Sequence, residues 1–478
     1  MGVKQGCPLS PLLFGIYIDD LEGEMMAAHA AEQEAAAQGE EATGALDLPL
    51  LQGKPVPGMS YADDLGQVST SADGLRRQAA LLFDYAKRWG LTINAKKTKV
   101  VVFGRSRSKA QESTVQLYFG EEEVEVVPEF TYLGILFKAG GNFSGAMDLR
   151  VSAAKRAGFG MQRRLKELRL ESADIQFRMF DALVVPVLSY GMEIWAPSML
   201  CKSAMTSPCE RVQLAHLRRV MGLRKSTASR ILLAEAGRLP LACSWIRRMT
   251  RFYNRLAAAN ADSLLGRAFA TSLELARGDT QQPATSWAGE FAEALKRFGV
   301  EVNLEQPSSL CRHEVSVQCK QHYLEETRAV PGRKTAYYIR VVRGGLPDDE
   351  YKTPEYLIKA ERRAQTRALC QLRTGSHWLR EETGRWLKPV LEREKRLCPH
   401  CEKGERPVEV VEDLEHMLFI CPRQAEIRER FPQLFTEAAE RRDVCAFFQQ
   451  SPMALAAFAT ACYKQHESWR EEIRIGVG

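Results

Sequence analysis

The chain has 478 residues, too many for one hydrophobic core, and is expected to fold as roughly two to four domains. Its composition, 45% hydrophobic and 26% charged, is that of an ordinary globular protein and excludes a fibrous or wholly disordered chain. Sixty-six Lys and Arg against 60 Asp and Glu leave a net charge of +6, which admits a nucleic-acid partner without demanding one.

No segment approaches the ~18 consecutive apolar residues of a membrane span. The densest run, Ala182 to Leu188, is short and holds Pro186. The N-terminus lacks a signal-peptide core, and Met1-Gly2 is followed by Gly6 where a myristoylation signal wants Ser or Thr. The expected setting is therefore intracellular, nuclear or cytoplasmic, with no membrane partner. Twelve cysteines without a secretory signal read as reduced thiols, apart from one cluster near residue 400.

Residues 1–145 alternate helix-like and strand-like patterns. Phe14, Tyr17, Ile18 and Leu21 fall at helical spacing, which predicts one buried face with Asp19 and Asp20 turned to solvent. An Ala/Glu-rich insert over about 22–57 predicts a polar helix, then a loop punctuated by Gly53, Pro55, Pro57 and Gly58. Next, Met59–Ala62 and Leu65–Val68 predict two short strands joined by a turn of Asp63 and Asp64. Leu75, Ala79, Leu82, Ala86 and Trp89 predict a helix capped by Gly90. Lys99–Phe103 is a β-branched run, and Val115, Leu117 and Phe119 mirror Val124 and Val126 across Gly120 as a hairpin. Residues 146–235 and 236–356 are mostly helical and amphipathic. Residues 357–478 carry a basic stretch, the cysteine cluster and further helices. No period of 20 to 50 residues repeats, so a solenoid is excluded.

Two carboxylates side by side in a tight turn are a poor choice for stability, because like charges repel and such turns favour Asn-Gly or Asp-Gly. Alone, the pair reads equally as an exposed acidic loop. Chemistry offers another reason. Nucleotidyl transfer uses carboxylates to hold divalent ions ~3.5–4 Å apart, and magnesium takes one or two carboxylates plus phosphates and waters.

The neighbours of the pair carry a resemblance. Gly2-Val3-Lys4-Gln5-Gly6-Cys7-Pro8-Leu9-Ser10-Pro11 precedes it. After Tyr61-Ala62-Asp63-Asp64 come Gly90-Leu91-Thr92-Ile93-Asn94, Lys96-Lys97-Thr98-Lys99 and Tyr132-Leu133-Gly134. In that order these segments resemble four successive blocks of non-LTR (LINE-type) retrotransposon reverse transcriptases. Phe180 to Gly191 resembles the thumb of the same proteins.

The resemblance implies an α+β fold: a partial polymerase palm of β-hairpins with helices over 1–145, and a helical thumb over 146–235. A helical connector over 236–356 and a basic tail with a small zinc knuckle over 357–478 would follow. It implies RNA-directed DNA polymerase activity with Asp63 and Asp64 as catalytic magnesium ligands. Gln5, Gly6, Pro8, Ser10, Lys97, Tyr132 and Gly134 would contact substrates: an RNA template, a DNA primer or target, and deoxynucleoside triphosphates. In that family another catalytic aspartate and the fingers lie ahead of the Gln-Gly block, where this chain begins. Residues 1–478 alone are therefore expected to polymerise weakly or not at all.

Cys398, Cys401, His416 and Cys421 form Cys-x2-Cys-x14-His-x4-Cys. Three thiolates and an imidazole make a closed tetrahedral zinc set, with three reduced cysteines and a surface histidine as the plainer reading. The spacing is similar to the C-terminal knuckle of the same family. Ahead of it, Arg362, Arg363 and Arg367 are interleaved with Trp378 and Trp386, an arrangement suited to single-stranded nucleic acid. Glu381, Glu382, Glu392 and Glu394 support the plainer reading, a solvated helix face with core tryptophans; the stretch alone leaves the two even, and the neighbouring knuckle favours nucleic acid. Two readings follow: a polymerase, or a catalytically inactive remnant that only binds nucleic acid through its zinc tail.

Overall fold

A computed structural model describes residues 7–38, 46–104, 115–200, 206–278, 286–329, 332–344, 352–402, 408–436 and 441–475. The architecture is α+β, with many helices and small two-stranded sheets. Two compact units are formed, one from residues 1–146, 251–293 and 302–310, the other from 147–250, 294–301 and 311–478. No single described helix is long and apolar enough to cross a membrane.

The first unit holds all five two-stranded sheets found among the described residues. Helix Ala72–Arg88 is its organiser. Ser71 caps it by accepting from the Gly74 N–H, and Gly90 ends it at φ +65°. One side buries Ala79 with Ala95, Val100, Leu117, Phe119 and Val124, and Tyr85 packs with Leu21 and Met25. Gly74 has to be glycine: a Cβ there would lie 2.6 Å from the Asp47 Cβ and 2.7 Å from the Leu46 carbonyl.

Three sequence expectations change. The continuous face through Phe14 and Leu21 is broken, because helix Ser10–Tyr17 stops and a new helix, Asp20–Ala37, begins. Asp20 and Glu22 thus sit in a first turn, where the helix dipole favours negative charge, rather than in an interior. The expected loop closing the insert contains a hairpin, Leu50–Leu51 with Lys54–Pro55, turned by Gln52 and Gly53 at positive φ. The β-branched run forms a strand only at Lys99–Val100. It pairs in parallel with Glu125–Val126, while Tyr118–Phe119 and Glu122–Glu123 make the hairpin across Gly120.

The second unit is helical, apart from one isolated bridge between Leu397 and Val411. Its core runs from Ala173 and Phe177 through Leu217, Met221 and Leu232 to Leu372, Phe447 and Cys462. At its centre Glu235, fully buried, accepts hydrogen bonds from Tyr338 (2.6 Å), Tyr356 and the Arg373 guanidinium (2.7 Å). A buried charge is tolerable only when paired and hydrogen-bonded, and here both conditions are met.

Candidate functional site

Tyr61-Ala62-Asp63-Asp64 closes an antiparallel hairpin in which Met59–Tyr61 pairs with Asp64–Gly66. The register Tyr61↔Asp64 makes Ala62-Asp63 the two-residue turn, so Asp64 belongs to the second strand and not to the turn expected from sequence. Ala62 takes φ +52°, a conformation that costs a non-glycine residue on the order of 1 kcal/mol or more. Both carboxylates are exposed. Because side chains alternate along a strand, Leu65 points the opposite way to Asp64 and packs against the Leu21, Met25 and Tyr85 cluster. The hairpin is thereby anchored through Leu65 and offers Asp64 on the opposite face, with Asp63 exposed in the turn.

A second hairpin, Glu129–Tyr132 with Ile135–Lys138, is turned by Leu133 and Gly134 at φ +47° and +76°. Its Tyr132 meets the first hairpin: a Cβ on Gly66 would stand 3.5 Å from the Tyr132 Cζ and hydroxyl. Burial raises the Tyr132 pKa, and the nearby negative charge of Asp64 raises it further. Lys97 is exposed on the turn after Asn94, whose Oδ1 accepts the Lys97 N–H at 3.1 Å. Pro8 and Ser10 lie at the start of helix Ser10–Tyr17, and the Ser10 N–H donates to the Cys7 carbonyl at 3.1 Å. Gln5 and Gly6 fall outside the described residues. Asp19 lies between two helices, not on a helical face as expected, and Asp20 accepts from the Tyr85 hydroxyl.

The metal-type cluster lies in the second unit. Leu397 bridges Val411, and the Cys398 N–H donates to the Val410 carbonyl at 2.7 Å, presenting Cys398 and Cys401 on one short knuckle. A helical turn, His416–Ile420, brings His416 and Cys421 opposite. The four ligand atoms all lie within 4.8 Å of one another. Cys398 and Cys421 sulfurs are 4.0 Å apart, and the Cys401 sulfur is 3.4 Å from His416 Nε2. A tetrahedral zinc with ~2.3 Å bonds would separate sulfurs by about 3.8 Å, so the donor set and spacing both fit. Without metal, the hydrogen bond to Cys421 and burial push Cys398 up to about 12. Donation from Cys398 pulls Cys421 below the ordinary thiol value.

The basic stretch divides. Arg373 is buried on Glu235, Arg385 pairs with Glu382, and Arg393 with Glu381 and Asp413. Arg396 is spent on the carbonyls of Leu391 and Glu381. Trp378 is a core residue, only 7% exposed and edge-on to Tyr463 at 5.0 Å. Trp386 is exposed. Arg362, Arg363 and Arg367 open the helix Arg363–Arg373 at the surface. Sequence reasoning missed their neighbours Arg218, Arg219, Arg224 and Lys225, which line the same cavity. Their local run, Leu217 to Lys225, was readable, but its proximity to residue 363 was not.

The profile of the family described as reverse transcriptase (RNA-dependent DNA polymerase) matches residues 1–137, the span holding both hairpins. This region is of the reverse transcriptase class. An uncharacterized transposon-derived protein of Caenorhabditis elegans is 26% identical over 180 residues, covering 36% of this chain and 59% of that protein. The retrovirus-related Pol polyprotein from the type-1 retrotransposable element R2 of Popillia japonica is 26% identical over 243 residues, covering 49% and 34%. Over residues 1–137 the chain is thus similar to reverse transcriptases, and both of these relatives derive from transposable elements. It spans less than two thirds of the length of either relative.

Proposed function

We propose that this chain carries out RNA-directed DNA synthesis, with residues 1–145 as palm, 146–235 as thumb, 236–356 as connector and 357–478 as a zinc-bearing tail. The observation that carries this reading is the Asp63/Asp64 hairpin with Tyr132 packed on its Gly66. Asp63 and Asp64 would hold magnesium, which supplies charge neutralisation at the triphosphate and activation of the primer hydroxyl. Strand alternation at Leu65 turns Asp64 to the open side, and Asp63 stands exposed in the turn beside it. Tyr132 and Gly134 steady the primer end, and Lys97 meets the phosphates of the incoming nucleotide. Gln5, Gly6, Pro8 and Ser10 contact template and nucleotide. The tail holds zinc on Cys398, Cys401, His416 and Cys421 and binds the RNA template or target DNA.

A second reading, a nucleic-acid-binding zinc protein without catalysis, is favoured by one observation. Among the described residues no third carboxylate or histidine joins Asp63 and Asp64 in a metal-type group. Magnesium-dependent extension of a DNA primer on an RNA template separates the two. Any extension by residues 1–478 should require magnesium. Asp63→Ala should cut it by at least a hundredfold. Synthesis that survives both Asp63→Ala and Asp64→Ala would overturn the assignment. Binding of the primed template without synthesis would select the second reading.

A further inference from the structure

We propose that the second unit holds a preformed pocket for single-stranded nucleic acid, built where the Pro208–Met221 helix, the Arg363–Arg373 helix and the Pro452–Ile475 helix meet. The cavity has a volume of about 820 Å³. That lies in the range of about 300–1,000 Å³ that encloses small ligands, so it suits one to a few nucleotides rather than a duplex.

Its walls are cationic. The first helix brings Arg211, Arg218 and Arg219, and the loop after it adds Arg224 and Lys225. The second brings Arg363 and Arg367, and the last brings Arg470. Against these eight cations the lining contains one carboxylate, Glu467, whose Oε1 is taken by the Tyr463 hydroxyl. Among the described residues none of the eight forms an ion pair, in contrast to Arg373, Arg385 and Arg393 a few turns away. Arg218 is accounted for locally by the Thr227 carbonyl at 3.1 Å, and Arg363 by the Arg219 carbonyl. Arg219, Lys225, Arg367 and Arg470 are exposed and make no such hydrogen bond among the described residues. Desolvation lowers the Arg363 pKa first, and the like charges of Arg367 and Arg219 lower it further, an arrangement that a bound anion would relieve.

The site is also preorganised. Gly222 ends the first helix at φ +68°, and a Cβ there would meet Arg367 Cγ at 2.6 Å, so the Arg367 stem lies directly over the glycine. Gln371 Nε2 donates to the Gly222 carbonyl at 2.9 Å, holding the two helices in register. The Arg367 guanidinium carbon then sits 5.8 Å from the Tyr463 ring centre. Fixed guanidinium forks match phosphate oxygens two at a time, which favours a polyphosphate backbone over a lone carboxylate. Beside the cations stand the rings of Tyr463 and His466. An acidic peptide would satisfy the charge but leave the rings unused, whereas unpaired bases stack on them and duplex bases cannot. Trp378 and His466 also line a smaller cavity against Cys398, His416 and Cys421, so one wall is shared with the metal-type cluster.

The inference extends the reading that the tail meets nucleic acid, but its test reads binding alone and does not depend on Asp63. The full chain, zinc-loaded, is titrated by fluorescence anisotropy with labelled twelve-nucleotide oligo(U) and oligo(dT), a duplex of equal length, and polyglutamate. Arg219→Gln/Lys225→Gln/Arg367→Gln should weaken single-strand binding about 10- to 100-fold near 0.1 M salt and lower the salt slope by about 2. Tyr463→Leu should weaken it about tenfold with the slope unchanged. The charge-matched Lys388→Gln/Arg430→Gln/Arg441→Gln should change little. Equal loss in both triple variants, or tighter binding of duplex or polyglutamate, overturns the proposal. If Tyr463→Leu does not fold, photocrosslinking of 5-bromouridine in the oligonucleotide to the wild-type chain decides. Adducts at Tyr463 or His466 support the pocket, and adducts confined to other residues refute it.

Discussion

Asp63 and Asp64 are adjacent in the chain and identical in chemistry, yet the hairpin gives them different surroundings. Asp64 is held by strand pairing opposite Tyr61 and beneath the influence of Tyr132, whereas Asp63 rides on a strained turn. The same contrast of position over composition holds among the cysteines. Cys209, Cys243, Cys319, Cys370 and Cys462 are buried, and burial pushes every one of them well above the ordinary thiol value. Among the described cysteines only Cys421 is shifted down. The expected outcome for the purified chain is about one zinc per molecule by atomic emission, falling below about 0.2 in Cys421→Ser or Cys398→Ser. Cys243→Ser should leave the zinc content unchanged. Equal loss in all three would mean that folding, not ligation, set the metal content.

Helix Pro208–Met221 carries two opposed pH responses. Burial pushes Glu210 up to about 7, against hydrogen bonds from Leu241 and Gln213, and burial with the nearby Arg238 charge pushes His216 down to about 4. Between pH 4.5 and 7 an unfolded Glu210 ionises while the folded one keeps its proton, so its contribution to stability falls as pH rises. His216 does the reverse between pH 4 and 6.5, because the folded ring stays neutral while the unfolded ring is protonated. Glu210→Gln removes one side of this balance. Its stability relative to wild type should climb by about 3 kcal/mol from pH 4.5 to 7 in urea unfolding, since each pKa unit is worth about 1.4 kcal/mol. A constant difference across that range would show that the carboxyl does not retain its proton in the fold.

At the level of whole elements, the long periodic patterns were readable. Ala72–Arg88 with its Gly90 terminus and the hairpin tip at Gly120 follow directly from residue spacing. What escaped were one-residue registers and the partners of charges. Nothing local distinguishes Asp63-Asp64 from Ala62-Asp63 as the turn, because the choice rests on which face Leu65 buries.

For the molecule as a whole, contacts join stretches that lie far apart in the chain. Arg373 reaches Glu235 across 138 positions, and Arg224 donates its backbone N–H to Ser376 across 152. Sequence pattern is local, and such pairings are not, which is why the cations of the basic stretch look alike when read in line. The pairing also sets a stability expectation. Arg373→Met leaves a carboxylate buried with two tyrosine hydroxyls and no cation, at a cost of about 3–5 kcal/mol in chemical denaturation. Glu235→Gln/Arg373→Met, which removes both charges, should recover much of that loss. A double variant as unstable as the single one would mean that packing, not charge, dominates the site.

That buried carboxylate bears on inheritance as well as stability. Glu235, Tyr338, Tyr356 and Arg373 come from three successive stretches of the chain, so a recombination joint or a protease cut anywhere between residues 236 and 372 would sever a hub that each side needs. The zinc-type knuckle is therefore poorly suited to being exchanged between elements as a detachable cassette. Lineages carrying this architecture should transmit everything from the Ser229–Glu235 helix to the last helix as one indivisible block.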